Sequence, residues 1–208
     1  RTELALVLFG MTPATSGEIL LDGKPVRIRS PLQARDLGIA YVPEDRGLQG
    51  LVKPMAIRKN VTMARLERVS RGIFLRARAE TARAAAAVKR LAIRCRDVNQ
   101  PVGELSGGNQ QKVVIAKWLE TEPRVLILDE PTRGVDVGAK SEIHAIMGEL
   151  VKQGVAILMI SSELPEVLGM SDRVLVMSGG RVTQVLERSQ ATPERVGAAM
   201  TAHKAEAA

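Results

Sequence analysis

Two short stretches carry residue types and spacings suited to a phosphorylated ligand. The first is Val125-Leu-Ile-Leu-Asp-Glu-Pro131, four apolar residues closed by two acids. A continuous apolar run of this kind belongs inside a parallel sheet, and open α/β sheets place their ligands at the carboxyl ends of the strands. A carboxylate there can hold Mg2+ or its waters beside a nucleotide, which fits Asp129. Its neighbour Glu130 can polarise an attacking water. A strand followed by a plain acidic turn has the same spelling, so the stretch is ambiguous by itself. The second is Leu105-Ser-Gly-Gly-Asn-Gln-Gln-Lys-Val113. Ser106 can cap a helix, and Gly107 and Gly108 leave its first amides open to an anion, where the helix dipole adds partial positive charge. An ordinary capped helix fits these residues as well.

The elements that must position these stretches follow from pattern. Arg1–Phe9 has helical apolar spacing and stops near Gly10. Gly17–Val26 reads as two short strands around an Asp22-Gly23 turn, a strong hairpin signal. Pro31–Gly38 reads as a short helix and Ile39–Val42 as a short strand closed by Pro43. Glu44–Pro54 is polar and contains glycine, hence a loop. From Ile57 to about Ile93 the text is helical, rich in Ala and Arg, and set apart from the sheet, with no sustained heptad. Beyond Asp97 strands and helices alternate: a helix from Ser106 to about Thr121, a buried strand Val125–Leu128, a helix Ala139–Gln153, and a second buried strand Val155–Ile160. A short helix Leu164–Met170 follows, then strands Arg173–Met177 and Arg181–Leu186 around Gly179-Gly180. After Ser189 a short helix and a frayed end are expected. The rhythm implies a mostly parallel sheet covered on both faces by helices, with an antiparallel β portion and a helical subdomain.

Bulk properties narrow the class. At 208 residues the chain suits one domain, and 45% apolar with 25% charged residues is ordinary for a globular protein. No apolar run approaches the roughly 20 residues that span a bilayer. The single cysteine, Cys95, excludes an internal disulfide and reads as a small buried or half-buried thiol. A net charge of +7 raises nucleic acid as a partner. The basic residues are scattered, however, and stacking residues amount to Phe9, Tyr41, Phe74 and Trp118. A solvated basic surface is the preferred reading, with no nucleic acid partner.

Taken together, Leu-Ser-Gly-Gly-Asn-Gln followed some twenty residues later by Leu-Asp-Glu-Pro-Thr resembles the ABC ATPase family. The resemblance implies a P-loop NTPase fold of the ABC type. Ser106, Gly107, Gly108 and Gln110 would then belong to the signature motif, which binds the γ-phosphate of ATP held by a partner domain. Asp129 would serve Mg2+ and Glu130 would activate water at the end of the Walker B strand. Val135-Asp136 falls on the D-loop. Tyr41-Val-Pro-Glu44 falls on the Q-loop with Glu44 in place of Gln, and Leu158–Leu164 on the switch region with Ser162 in place of His. His144 is no substitute, since it lies within a helix, and reads as a plain surface or packing residue. Arg1-Thr2 resembles the end of a P-loop, with Arg1 at the Lys position and Thr2 at the metal-coordinating hydroxyl. Its phosphate-cradling glycines would precede residue 1, so the chain reads as truncated.

Arg-Thr-Glu-Leu, Tyr-Val-Pro-Glu-Asp-Arg (41–46), Pro-Thr-Arg-Gly-Val-Asp (131–136) and Ile-Ser-Ser-Glu-Leu-Pro-Glu (160–166) resemble the second ATPase domain of ribose-, galactose- or xylose-type importers. Such second domains share the departures at Arg1, Glu44 and Ser162. The expected division is one incomplete nucleotide-binding domain over 1–208, with a catalytic core at 1–53 and 105–188, a helical subdomain at about 54–104 and a tail at 189–208. The resemblance implies ATP and Mg2+ as cofactors and a second ABC ATPase domain as partner. It also implies transmembrane permease subunits and, indirectly, a periplasmic or extracellular sugar-binding protein. The expected location is the cytoplasmic face of the bacterial inner membrane. Arg is bulkier and more rigidly forked than Lys, so this domain's own ATP site is expected to be weak, while its signature turn completes the other. A nucleic-acid- or ribosome-associated ABC ATPase and a non-hydrolysing nucleotide-binding module stand as alternatives.

Overall fold

A computed structural model describes residues 1–205, with side chains as far as residue 201. In chain order the elements are α1 (Thr2–Leu8), the hairpin β1 (Ile19–Leu21) and β2 (Lys24–Val26), α2 (Pro31–Asp36), and β3 (Ile39–Val42). Then come α3 (Ile57–Thr62), the hairpin β4 (Ser70–Arg71) and β5 (Phe74–Leu75), α4 (Ala77–Arg90), α5 (Gly107–Leu119) and β6 (Val125–Asp129). The chain continues through α6 (Val137–Lys152), β7 (Ala156–Ile160), α7 (Leu164–Met170), the pair β8 (Arg173–Ser178) and β9 (Arg181–Glu187), and α8 (Pro193–Ala205).

A parallel three-stranded sheet in the order β3-β6-β7 organises the core. Alternating side chains of its strands serve two separate cores. Ala40, Val42, Leu126 and Leu128 face α5, α6 and the helical segment, while Ile39, Tyr41 and Ile127 face Ala5 of α1, Phe9 just after it and Ala34 of α2. β3 and β6 are therefore covered on both faces, as near-continuous apolar text requires. The Asp22-Gly23 turn has φ of +51° and +72°, the left-handed pair that a two-residue hairpin needs. β8 and β9 form their own antiparallel pair, packed on α8 by Val174, Val176, Leu186, Val196 and Ala199.

Several expectations are corrected. The second apolar strand, β7, is not buried on both faces: Ala156 is exposed and Leu158 is 38% exposed, because of β7 only Ile160 joins the core formed with α1 and α2. Helix is not continuous from Ile57 to Ile93. A 3-10 stretch with a non-helical Arg65 leads into the β4-β5 hairpin, turned at Gly72 with φ +60°. Nor does this segment stand apart, since its Ile57, Val61, Ala84, Leu91 and Ile93 share one core with Ala40 and Leu126. The loop after β3 contains a π-helical turn, Arg46–Gly50, begun by Asp45, whose carboxylate accepts from the amides of Gly47 (2.9 Å) and Leu48 (3.0 Å). The helix after Ser189 runs 13 residues rather than being short, and the expected frayed end at 206–208 lies outside the described residues. Cys95 is half-buried as read, and burial together with Asp97 raises its thiol pKa.

Candidate functional site

The chain leaves β6 through Glu130, a non-glycine residue at φ +48° in the left-handed region. Such a conformation costs on the order of 1 kcal/mol or more and persists where neighbours over-determine it. Here the Glu130 amide donates to the Ile160 carbonyl (2.8 Å) and the Glu130 carbonyl accepts from the Arg133 amide (3.1 Å). The bend turns the carboxylate toward β7 and the start of α1. Ser162 Oγ donates to Glu130 Oε2 (3.0 Å), and Arg1 Nη2 lies 3.9 Å from Oε1. Arg1 Nη1 donates to the Ser161 carbonyl (2.8 Å), which orients the guanidinium better than a long, half-exposed ion pair does.

Asp129, fully buried one residue earlier, keeps its Oδ2 within reach of the Tyr41 hydroxyl, which donates to it (3.2 Å). Burial and the adjacent Asp129 charge and hydrogen bond raise the Tyr41 pKa, so the phenol stays a donor. Asp129 Oδ1 has no partner among the described residues. A buried carboxylate oxygen left this way is costly unless a cation or donor meets it. Thr2 follows Arg1 at the head of α1, whose Ala5 shares a core with Phe9, Ile127 and Tyr41. Arg1, Asp129, Glu130 and Ser162 thus gather at the carboxyl end of β6 and β7, with Thr2 one residue beyond Arg1 in α1. One carboxylate oxygen and one hydroxyl are donors of the kind Mg2+ accepts alongside phosphate oxygens, so the residues present fit that ion.

The second group gathers around the head of α5. Ser106 occupies the cap position, but its side chain does not cap the helix: Ser106 Oγ accepts from Asn109 Nδ2 (2.9 Å) instead. The expectation of a serine cap is corrected: the first-turn amides have neither an intrahelical acceptor nor a side-chain cap, Gly107 and Asn109 being half-buried and Gly108 buried. Gln110 Nε2 donates to the Leu105 carbonyl (2.9 Å), which fastens the turn. Gly107 and Gly108 are held by close neighbours. A Cβ on Gly108 would stand 2.4 Å from Ala139 Cβ of α6, and one on Gly107 would stand 2.8 Å from Arg46 Nη2. Asp136 caps α6 by accepting from the Ala139 amide (2.9 Å). Glu44 is ion-paired with Arg133. No hydrogen bond or ion pair among the described residues joins Ser106, Gly107 or Gly108 to Asp129 or Glu130.

Two features escaped the sequence reading. Arg46 spans from the loop after β3 to the carbonyls of Arg133 and Gly134, a contact across 87 and 88 residues with no local signal. Buried Glu166 accepts from Thr132 Oγ1 (2.9 Å) and lies 2.7 Å from His144 Nε2. Burial alone would raise its pKa, but the hydrogen bonds of His144 and Thr132 outweigh it and leave the carboxyl below its ordinary value. His144 is therefore a polar partner of a buried acid rather than a plain surface or packing residue.

A parallel sheet ending in two adjacent acids, together with a helix whose first turn lacks a side-chain cap, defines an α/β domain. The sequence model of the family described as ABC transporter matches residues 1–133, and the chain belongs to that family. A ribose import ATP-binding protein of Jannaschia sp. (strain CCS1) is 53% identical over 194 residues, covering 93% of this chain and 38% of that protein. One from Rubrobacter xylanophilus is 53% identical over 203 residues, covering 97% and 41%. The chain thus spans about two fifths of the length of the curated relatives it matches. Among solved structures, cbiO1 from Clostridium perfringens superposes with a TM-score of 0.73 at 28% identity over 99% of this chain and 78% of its own. The ATP-binding cassette MJ1267 matches with a TM-score of 0.77 over 100% and 82%, and at 21% identity it attests the fold. Among the described residues no helix is long and apolar enough to cross a membrane.

Proposed function

We propose that this chain works as part of the ATP-hydrolysing subunit of a monosaccharide importer, and that its main contribution is the Ser106-Gly107-Gly108 turn. The turn is offered to ATP held by a second ABC domain, at the cytoplasmic face of a membrane carrying the permease subunits. The names of the relatives, ribose import ATP-binding proteins, support the importer class. The observation that carries the reading is the head of α5: an exposed Ser106 whose hydroxyl leaves the cap unmade, above amides without partners in the helix. Open amides and a hydroxyl aimed at developing phosphoryl charge lower a transition state without reorganisation.

The group at β6 and β7 reads as a weak nucleotide site. Thr2 and Asp129 would hold Mg2+, which would neutralise phosphate charge there. Glu130 is positioned to accept a proton from water, but its carboxylate already accepts from Ser162 and faces Arg1, so a water must compete for it. Glu44 is occupied by Arg133 and is not free to sense a phosphate. The non-hydrolysing alternative applies to this site alone.

The test is association in solution. Sedimentation of the chain with a complete ABC nucleotide-binding domain should show a complex that requires ATP. Ser106→Glu, at an exposed position that accepts bulk, should abolish it by setting a carboxylate against phosphate, whereas Glu130→Gln should leave it intact. Complex formation indifferent to Ser106→Glu would overturn the reading.

A further inference from the structure

The π-helical turn after β3 grips the head of α5 and the loop after Glu130 at once. Arg46 Nη1 donates to the Arg133 carbonyl (2.8 Å) and Nη2 to the Gly134 carbonyl (3.1 Å). Two successive carbonyls met by one planar fork is a geometry that guanidinium satisfies and ammonium does not. The same Nη2 lies flush against Gly107, where a Cβ would come within 2.8 Å of it and 3.2 Å of the Gly134 carbonyl oxygen. The far end of the turn is fixed to α5 as well. Gly50 packs on Val114, with room for a Cβ only at 3.0 Å from Cγ2, and its carbonyl accepts from the buried Lys117 Nζ (2.6 Å). Arg133 is further held by Glu44, the residue that leads from β3 into the turn.

We propose that Arg46 is a positioning residue that locks the Ser106–Gly108 turn to the Arg133–Asp136 loop, so that both present one rigid face to a neighbouring domain's phosphates. The proposal rests on the reading of that turn as a phosphate donor. Arg46 touches no phosphate in this role. It acts by fixing where the Gly107 and Gly108 amides stand relative to the loop leaving Glu130. Donors preset to a developing charge lose their effect when displaced by about 1 Å, a change that can cost on the order of a hundredfold in rate.

The experiment mixes the full chain with a complete ABC nucleotide-binding domain whose own signature glycine has been replaced, so that ATP hydrolysis depends on this chain's turn. Arg46→Ala should lower kcat by roughly ten- to a hundredfold, with KM for ATP within about twofold because the partner binds the nucleotide. Arg46→Lys should recover little. Millimolar guanidinium should restore part of the Arg46→Ala activity, and ammonium should not. Amide hydrogen exchange at Gln110 and Val135, which donate to the Ser106 (2.9 Å) and Thr132 (3.3 Å) carbonyls within the two clamped segments, should speed up in Arg46→Ala while exchange in β6 stays unchanged, a readout that needs no partner domain. Unchanged kcat in Arg46→Ala, or unchanged exchange at those two amides, would overturn the proposal. Loss of kcat that guanidinium cannot rescue, with faster exchange throughout the chain, would reduce Arg46 to a folding contact and overturn it too. If the unmodified chain supports no hydrolysis, the donor reading of the turn fails, and the exchange measurement still decides the clamp.

Discussion

Gly108 has no space for a side chain, and the obstacle lies within the same chain. A Cβ there would meet Ala139 Cβ at 2.4 Å and Val135 Cγ1 at 3.5 Å. Carbon atoms in contact sit about 3.5–4.0 Å apart, so α5 and α6 must separate by roughly 1 Å or more to admit one methyl group. The colliding atom is the first carbon of a helical residue and cannot swing away. Overpacking of this kind costs about 1–3 kcal/mol. For a chain of 208 residues each kcal/mol moves the melting temperature by roughly 2–4 °C, so Gly108→Ala should melt some 4–8 °C low for a penalty near 2 kcal/mol. Ala139→Gly removes the opposing atom. Alone it should cost about 0.5–1 kcal/mol, as glycine does within a helix, yet combined with Gly108→Ala it should recover most of the loss. Thermal melting followed by far-UV circular dichroism on the four proteins checks this. A Gly108→Ala protein melting with the parent, or a double variant melting as low as Gly108→Ala alone, would refute the packing explanation.

Other substitutions read other parts of the structure. Buried Asn60 accepts from the Val52 amide (2.8 Å) and donates to the carbonyls of Val52, Met55 and Ala56. Asn60→Ala strands these groups and should cost about 2–4 kcal/mol in urea titrations. Burial pulls the Lys117 pKa down to about 8, below the value near 10.4 of an unfolded lysine. The folded chain therefore holds fewer protons between those values, and stability should rise as pH climbs from 8 toward 10. Lys117→Met should erase that rise and gain about 2 kcal/mol at pH 7, the roughly 3 kcal/mol of relieved charge burial less about 1 for the unmatched Gly50 carbonyl. Glu166 titrates below its ordinary value, so its stabilisation is present above the unfolded carboxyl pKa and is lost as pH falls through the folded one. In acid urea titrations Glu166→Gln should show a shallower fall below about pH 4.5 than the parent.

Local chemistry made much of the architecture readable. The Asp22-Gly23 turn, the apolar run ending at Asp129 and the glycines after Ser106 each carry their geometry in a few adjacent residues. What stayed hidden depends on distant partners. Ile73-Phe74 hid a hairpin within Arg- and Ala-rich text, although Gly72 marks the turn. The exposure of β7 depends on what covers the sheet edge, and no pattern within the strand records it. Ser106 is a good cap by type, yet Asn109 takes its oxygen, and that choice frees the amides the reading requires. Arg46 is one of many scattered arginines until the fold brings Arg133 and Gly134 beneath it. His144 seemed inert because its acid, Glu166, lies 22 residues further on.

The most direct measurement is ATP hydrolysis by the chain together with a complete ABC domain whose own signature turn is disabled, comparing Ser106→Glu with Glu130→Gln in this chain. Hydrolysis should fall by about a hundredfold or more in the first and by only a few-fold in the second, since one alters donors at the working phosphate and the other a base in the weaker site. Equal losses in both, or a greater loss from Glu130→Gln, would contradict the assignment of the Ser106 turn as this chain's principal contribution.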